Sequence, residues 1–146
     1  MSFVKPEVLK MLVDCFVTLS EGLKEEVKIS LRARAREMPV ELVFRGLSYV
    51  LLLCTARGDI SVVSRGLQAS SCKEFLDAIG VLSKEKEAGY ALYGAILLLG
   101  LREQGVISEK TFSDVVKNSI DNPMLDSIAY GLMDWIKRLA ESYLER

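Results

Sequence analysis

The chain has 146 residues, half of them hydrophobic, and its formal net charge is −1. This composition suits one domain (residues 1–146) around a single core and excludes a disordered chain, while the small net charge excludes a global field that draws the protein onto polyanions. Histidine, the commonest general base and metal ligand, is absent from the sequence. We therefore predict no catalytic residue, no metal site and no cofactor.

Apolar residues recur at helical spacing throughout, which predicts an all-α fold, a compact bundle of about six to eight helices. In the first part of the chain, the spacing predicts one helix from Pro6 to Gly22 and a second from there to about Met38. A third helix is predicted to begin at Pro39 and to end near Arg57. Proline marks this boundary because it lacks a backbone N–H and suits the first turn of a helix.

The second part of the chain contains the predicted centre of the bundle. Two short helices, 60–69 and 71–81, precede a helix over 84–104 that is apolar on all sides between charged ends and is therefore expected to be buried. Its glycines are expected to let neighbouring helices approach closely. A long last helix begins at Pro123, and Trp135 lies on its apolar stripe, where we expect a core residue; the alternative is an aromatic platform on which a nucleic-acid base stacks.

The cysteines and the N-terminal sequence indicate the cellular compartment in which the protein is expected. Cys15, Cys54 and Cys72 are far apart, form no CxxC motif and lie among apolar residues, so we predict buried free thiols in a reducing compartment. The N-terminus lacks the pattern of a signal peptide. The longest uncharged run, 88–101, is shorter than the roughly 20 residues that a membrane span needs. We expect a cytoplasmic protein that does not bind membranes.

A basic segment on the second helix is the main candidate for binding. Between residues 28 and 36 there are four positive charges and no negative one. Lys28, Arg32 and Arg36 recur every four residues, which places them on successive turns of one helix face, about 6 Å apart. Cations in such a row could follow the phosphates of a single strand, which gives affinity and salt dependence but no sequence recognition. Arg34 falls on the core side, where we expect it to extend past the core edge or to pair with a carboxylate.

Further cations extend this candidate site. Arg45 follows on the next predicted helix, and Lys137 and Arg138 lie beside Trp135 on the last one. Two alternatives stay open. A charged helix face is often only solvated, and on such a face Glu41 would form a surface ion pair with Arg45. The charged face could also form a protein interface. An enzyme has the least support, since the sequence has neither a nucleophile elbow nor a phosphate-binding glycine motif.

Three segments resemble the small all-helical subunit of the Cmr complex, the type III-B CRISPR RNA-guided effector. Residues 38–53 (MPVELVFRGLSYVLLL) are similar to its signature, in which a basic helix ends before a proline and a Gly-Leu pair follows. Residues 90–103 resemble its central helix, and 130–144 resemble its closing helix, with a tryptophan followed by two basic residues. Arg45 departs from the family pattern, which often has a polar amide there, and residues 59–83 show no match.

The resemblance implies a non-catalytic scaffold in antiviral defense. Copies of such a subunit stack side by side into a minor filament, next to larger subunits that carry the guide RNA, and basic faces line the channel for the target RNA. The implied partners are other subunits of the effector complex, further copies of this chain, and the backbone of guide or target RNA. The alternative is a helical adaptor that binds only protein.

The resemblance and the helical stripe together define the predicted RNA-binding residues. Arg36 matches the basic position before the proline of the signature, and Lys137 and Arg138 match the basic pair after the tryptophan. The helical stripe adds Lys28 and Arg32, and Arg45 follows on the next predicted helix. The complete set is Lys28, Arg32, Arg36, Arg45, Lys137 and Arg138.

Overall fold

A computed structural model describes residues 3–144, which form eight α-helices and no β-strand. This confirms the predicted all-α fold. The helices are α1 (Pro6–Gly22), α2 (Glu25–Arg45), α3 (Leu47–Arg57), α4 (Ile60–Ser64), α5 (Lys73–Ala78), α6 (Glu85–Gln104), α7 (Phe112–Ser119) and α8 (Pro123–Tyr143). Single turns of 3-10 helix, Arg65–Leu67 and Ile79–Val81, follow α4 and α5.

The centre of the bundle is α6, as predicted. Every residue from Ala88 to Leu101 is buried, and α2, α3, α4 and α8 pack around this helix. Gly89 allows α2 to cross closely, because a Cβ atom at this position would lie 2.9 Å from the carbonyl carbon of Ser30. Within residues 3–144, no helix combines the length and the apolar character that crossing a membrane requires.

Helix α2 continues through Pro39, so the predicted boundary at this residue is wrong. Pro39 is buried, and Leu42 continues the core-facing stripe of Leu31 and Met38 on the far side of it. The proline removes the hydrogen bond that residue 39 would otherwise donate to the carbonyl of Ala35, at a cost of about 3 kcal/mol. Burial of this stripe against α6 and α8 offsets that cost, because the stripe runs across the proline without a break.

Helix α2 ends instead at Gly46, which joins α2 to α3, and the start of α3 is hydrogen-bonded to α8. Gly46 has a φ of +86°, a conformation that favours glycine and ends the helix. The next backbone N–H, that of Leu47, donates to Oδ1 of Asp126 at 3.0 Å, so the first turn of α8 caps the first turn of α3. Since Arg36 contacts Glu141 near the other end of α8, α2 and α8 run antiparallel.

Trp135 is not the core residue that its position on the apolar stripe suggests. Its side chain is 46% exposed, whereas Leu132, Ile136 and Ala140 are fully buried. The buried face of α8 keeps Leu132 of the predicted stripe but is turned toward Ile136 and Ala140, so Trp135 falls outside it. Trp135 lies at the edge of the packed face, where one side of the ring meets solvent.

Two of the cysteines form a disulfide, which contradicts the prediction of three free thiols. Cys15 in α1 and Cys72, directly before α5, are bonded with their Cα atoms 5.2 Å apart. Cys54 is free and buried, as predicted. The expectation of a reducing compartment rested on free thiols, so it loses this support.

Candidate nucleic-acid interface

Four of the predicted cations lie on α2, and three of them form a row. Each step of four residues, from Lys28 to Arg32 to Arg36, advances by about 6 Å and rotates by about 40°, so the three follow a shallow spiral. Lys28 and Arg32 are partly buried, and Arg36 is exposed. The row of cations therefore runs from the edge of the core, at Lys28, to the solvent-exposed surface, at Arg36, which is its most accessible member.

Cations from the two ends of the chain meet at one carboxylate. Arg36 Nε donates to Oε2 of Glu141 at 3.2 Å, and the guanidinium of Arg138 donates to Oε1 of the same residue at 3.2 Å. These hydrogen bonds, that of Arg36 foremost, hold the pKa of the Glu141 carboxyl below its usual range. Two cations share one anion, so this cluster keeps a net positive charge.

An open groove lies between α2 and α8 beside this cluster, and we call it the α2/α8 groove. Its volume is about 220 Å³, and its lining consists of Arg36, Pro39, Val40, Val43, Phe44, Tyr130 and Lys137. Arg36 and Lys137 were predicted from separate motifs, and the fold brings them into one lining. Lys137 makes no ion pair with another described residue, so its charge is available to a ligand.

The groove also contains exposed aromatic and aliphatic side chains. Phe44 is 80% exposed, Val43 67% and Tyr130 47%, which is unusual for side chains of this size. None of these residues was predicted from the sequence to be part of a site. One signal was present, because Tyr130 precedes Lys137 by seven residues, nearly two full helical turns, and so lies on the same face of α8.

Two arginines of α2 lie outside this surface. Arg45 is nine residues beyond Arg36, which is half a turn around the helix, and its guanidinium contacts Glu41 at 3.7 Å and the Tyr49 ring at 4.7 Å. Arg34 is buried, as its core-side position predicts, and its Nε lies 3.0 Å from a carboxylate oxygen of Glu37. The structure therefore does not place Arg45 with the other predicted RNA-binding residues.

The chemistry that this surface offers is binding rather than bond making. The groove presents two cations, two aromatic side chains and aliphatic surface, a set suited to phosphates and flat apolar groups. Elsewhere in residues 3–144, no group of three or more histidine, cysteine, aspartate or glutamate side chains is arranged to hold a metal ion.

No protein-family model, curated protein or solved structure matches this chain.

Proposed function

We propose that this protein is a non-catalytic small subunit of a type III-B CRISPR ribonucleoprotein effector complex, which acts in antiviral defense. We propose that it contacts target RNA through the α2/α8 surface, by which we mean the α2/α8 groove together with Lys28, Arg32 and Arg138. The resemblance of three segments to the Cmr small subunit supports the family. One geometric observation supports the RNA-binding role, because Arg36 and Lys137, from opposite ends of the chain, line the same groove.

The proposed mechanism is electrostatic. Lys28, Arg32 and Arg36 on α2, with Lys137 and Arg138 on α8, neutralise phosphates and release the counterions condensed on the strand. A single copy offers few contacts, because the net charge of the chain is −1 and Glu141 already pairs with two of the cations. Copies placed side by side in a filament would multiply these contacts along one strand, which raises the overall affinity.

Charge reversal at two lysines tests this function. We expect Lys28→Glu combined with Lys137→Glu to weaken the binding of labelled single-stranded RNA by about tenfold or more, and to reduce the slope of log affinity against log salt by about 1.4. Neither lysine pairs with another described residue, so the fold should be unaffected. Binding is measured by fluorescence anisotropy in the assembled complex and in the isolated chain.

A control variant separates local charge from net charge. Lys73 in α5 and Lys117 in α7 are exposed and lie outside the α2/α8 surface, so Lys73→Glu with Lys117→Glu makes the same change in net charge elsewhere. We expect this variant to keep most of the RNA affinity. An equal loss in both variants, or no loss in either, contradicts the proposed surface.

The adaptor function is the second candidate, and the exposed apolar residues of α2 favour it. Val40, Val43 and Phe44 occupy one solvent-facing turn, and such a patch is also typical of protein interfaces. An adaptor would join its partner subunits normally and show no RNA affinity at low salt, in the isolated chain or in the complex. The same anisotropy measurements therefore distinguish the two functions.

A further inference from the structure

We infer that the α2/α8 groove binds the bases of single-stranded RNA, with Phe44 and Tyr130 as stacking residues and with Arg36 and Lys137 on the adjoining phosphates. This inference rests on the proposed function and specifies how the strand is held. The ligand class is a single strand without a required sequence, because every base offers a π surface to an aromatic side chain.

Charged and aromatic side chains lie at different ends of the groove. Phe44 lies eight residues beyond Arg36, about 12 Å along α2, and Tyr130 lies seven residues before Lys137, about 10 Å along α8. Since the two helices run antiparallel, both cations lie at one end of the groove and both aromatic side chains at the other. A strand crossing the groove would meet a charged end and an aromatic end, which match its phosphate and its base.

The groove is small and open to solvent. Its volume of about 220 Å³ lies below the roughly 300–1,000 Å³ of pockets that enclose drug-sized ligands. An open groove of this size suits a flat group laid against it, such as a nucleobase. A duplex keeps its bases stacked inside the helix, so their flat surfaces are not available to Phe44 and Tyr130.

The length and charge of the groove favour RNA over a helix of a partner protein. Helix-in-groove recognition uses anchors at positions i, i+3 or i+4 and i+7, a span of about 10 Å. The aliphatic and aromatic stretch of α2 in the groove, Val40 to Phe44, covers only about 6 Å before the cationic end begins. The positive charge of Arg36 and Lys137 at that end complements phosphate.

The test compares a strand with bases and a strand without them. The probes are a fluorescein-labelled single-stranded RNA of about ten nucleotides, within the usual site sizes, and an abasic strand of the same length. We expect Phe44→Ala and Tyr130→Ala each to weaken RNA binding by about 5- to 100-fold and to leave binding of the abasic strand unchanged. The salt slope should stay at the wild-type value, because no phosphate contact is removed.

Trp135→Ala is the matched control. Trp135 lies on α8 and is as exposed as Tyr130, but the five residues between them place it about 140° around the helix and outside the groove. We expect this variant to bind both probes like the wild type. Phe44 and Tyr130 are exposed enough that their removal should leave the free energy of unfolding nearly unchanged, which urea titration checks.

The outcomes separate this inference from the proposed function. If Lys28→Glu with Lys137→Glu loses RNA affinity while Phe44→Ala and Tyr130→Ala retain it, RNA binds without base stacking, and only the inference fails. If the two aromatic variants retain RNA affinity but no longer enter the complex, the groove holds a protein and the inference is overturned. If the wild type binds no RNA in either form, both fail.

Discussion

The guanidinium carbon of Arg34 lies 4.4 Å from the centre of the Tyr90 ring, a buried cation–π contact that joins α2 to the central helix. The Tyr90 hydroxyl donates to a carboxylate oxygen of Glu37 at 3.3 Å and accepts from the guanidinium of Arg57 at 3.4 Å. Three helices therefore share one polar cluster, in which Arg34 and Tyr90 are buried while Glu37 and Arg57 are exposed at the surface. Such clusters stabilise a fold when their members are paired, and removing one member leaves the others poorly satisfied.

The first prediction concerns this cluster. We expect Arg34→Ala to lower the free energy of unfolding by about 2–3 kcal/mol, because it removes a buried side-chain stem and its cation–π contact with Tyr90. Arg36→Ala, two residues along the same helix, removes an exposed arginine and should cost less than about 1 kcal/mol. Urea unfolding of both variants measures the difference. Equal losses would show that burial of Arg34 contributes nothing.

The second prediction concerns the disulfide between Cys15 and Cys72, which are separated by 57 residues in the chain. A cross-link over a loop of this length restricts the unfolded chain, and we expect reduction to lower the free energy of unfolding by up to about 4 kcal/mol. The lost stability should appear as a lower melting temperature in the presence of a reductant, measured by circular dichroism.

The control for the disulfide is the variant in which both cysteines are alanine. Cys15→Ala with Cys72→Ala should melt near the temperature of the reduced wild type and should not respond to reductant. A wild-type melting temperature that is the same with and without reductant would contradict a stabilising role for this bond.

Most of the helices were predictable because their start and stop signals are local. Asn122 caps α8 and Gly105 ends α6 in the left-handed conformation, as their residue types indicate. Pro39 was misjudged because proline usually starts a helix, whereas here the packing of Leu31, Met38 and Leu42 outweighs its local preference. The disulfide could not be predicted from spacing, since only the fold brings α1 and the segment before α5 together.

The error at Pro39 also explains what the sequence missed at the candidate site. If α2 ended near Met38, the angle around the helix axis between Arg36 and the residues after Pro39 could not be predicted. With α2 continuous to Arg45, Phe44 falls on the same side of the helix as Arg36, and Arg45 falls on the opposite side. The cations of the groove were thus predictable from charge and from the family resemblance, and Tyr130 from its spacing to Lys137, while Phe44 required the correct helix boundary.

The third prediction concerns pH, through the free thiol of Cys54. Complete burial raises the pKa of Cys54 to about 12, since the thiolate would lose its hydration, and the nearby Arg34 opposes this rise only in part. The folded pKa lies above the ordinary value of 9.0. The contribution of the buried, protonated Cys54 thiol to stability is therefore fully present below about pH 9. It is lost as the pH rises toward 12, because the thiol of the unfolded chain ionises at a lower pH than that of the folded protein.

We expect this thiol to lower the free energy of unfolding by about 1.4 kcal/mol per pH unit above pH 9. Other groups titrate in the same range, so the informative quantity is the difference between the wild type and Cys54→Ala. Urea unfolding at about pH 8 and about pH 11 gives both slopes. The alanine variant should lose less stability over this interval. If the free energy of unfolding falls equally with pH in both proteins, the Cys54 thiol is not buried.

The fourth prediction concerns the crossing of α2 and α6. A Cβ atom added at Gly89 would collide with the Ser30 hydroxyl and would also lie 2.9 Å from the Ser30 carbonyl carbon. Rotating the serine side chain relieves only the first contact, so the helices have to separate. We expect Gly89→Ala to cost about 1–3 kcal/mol of stability, although alanine is the better helix former by about 1 kcal/mol.

Gly100→Ala in the same helix is the matched variant. The nearest atom to an added Cβ there is a methyl group of Leu132 at 3.4 Å, an ordinary contact with a side chain. With little steric cost, the gain in helix propensity should leave this variant as stable as the wild type or up to about 1 kcal/mol more stable. The two substitutions are chemically identical and both lie in α6, so opposite signs in urea unfolding would identify the approach of α2, rather than glycine itself, as the cause. If Gly89→Ala is also stabilising, the backbones of α2 and α6 are not in contact at Ser30.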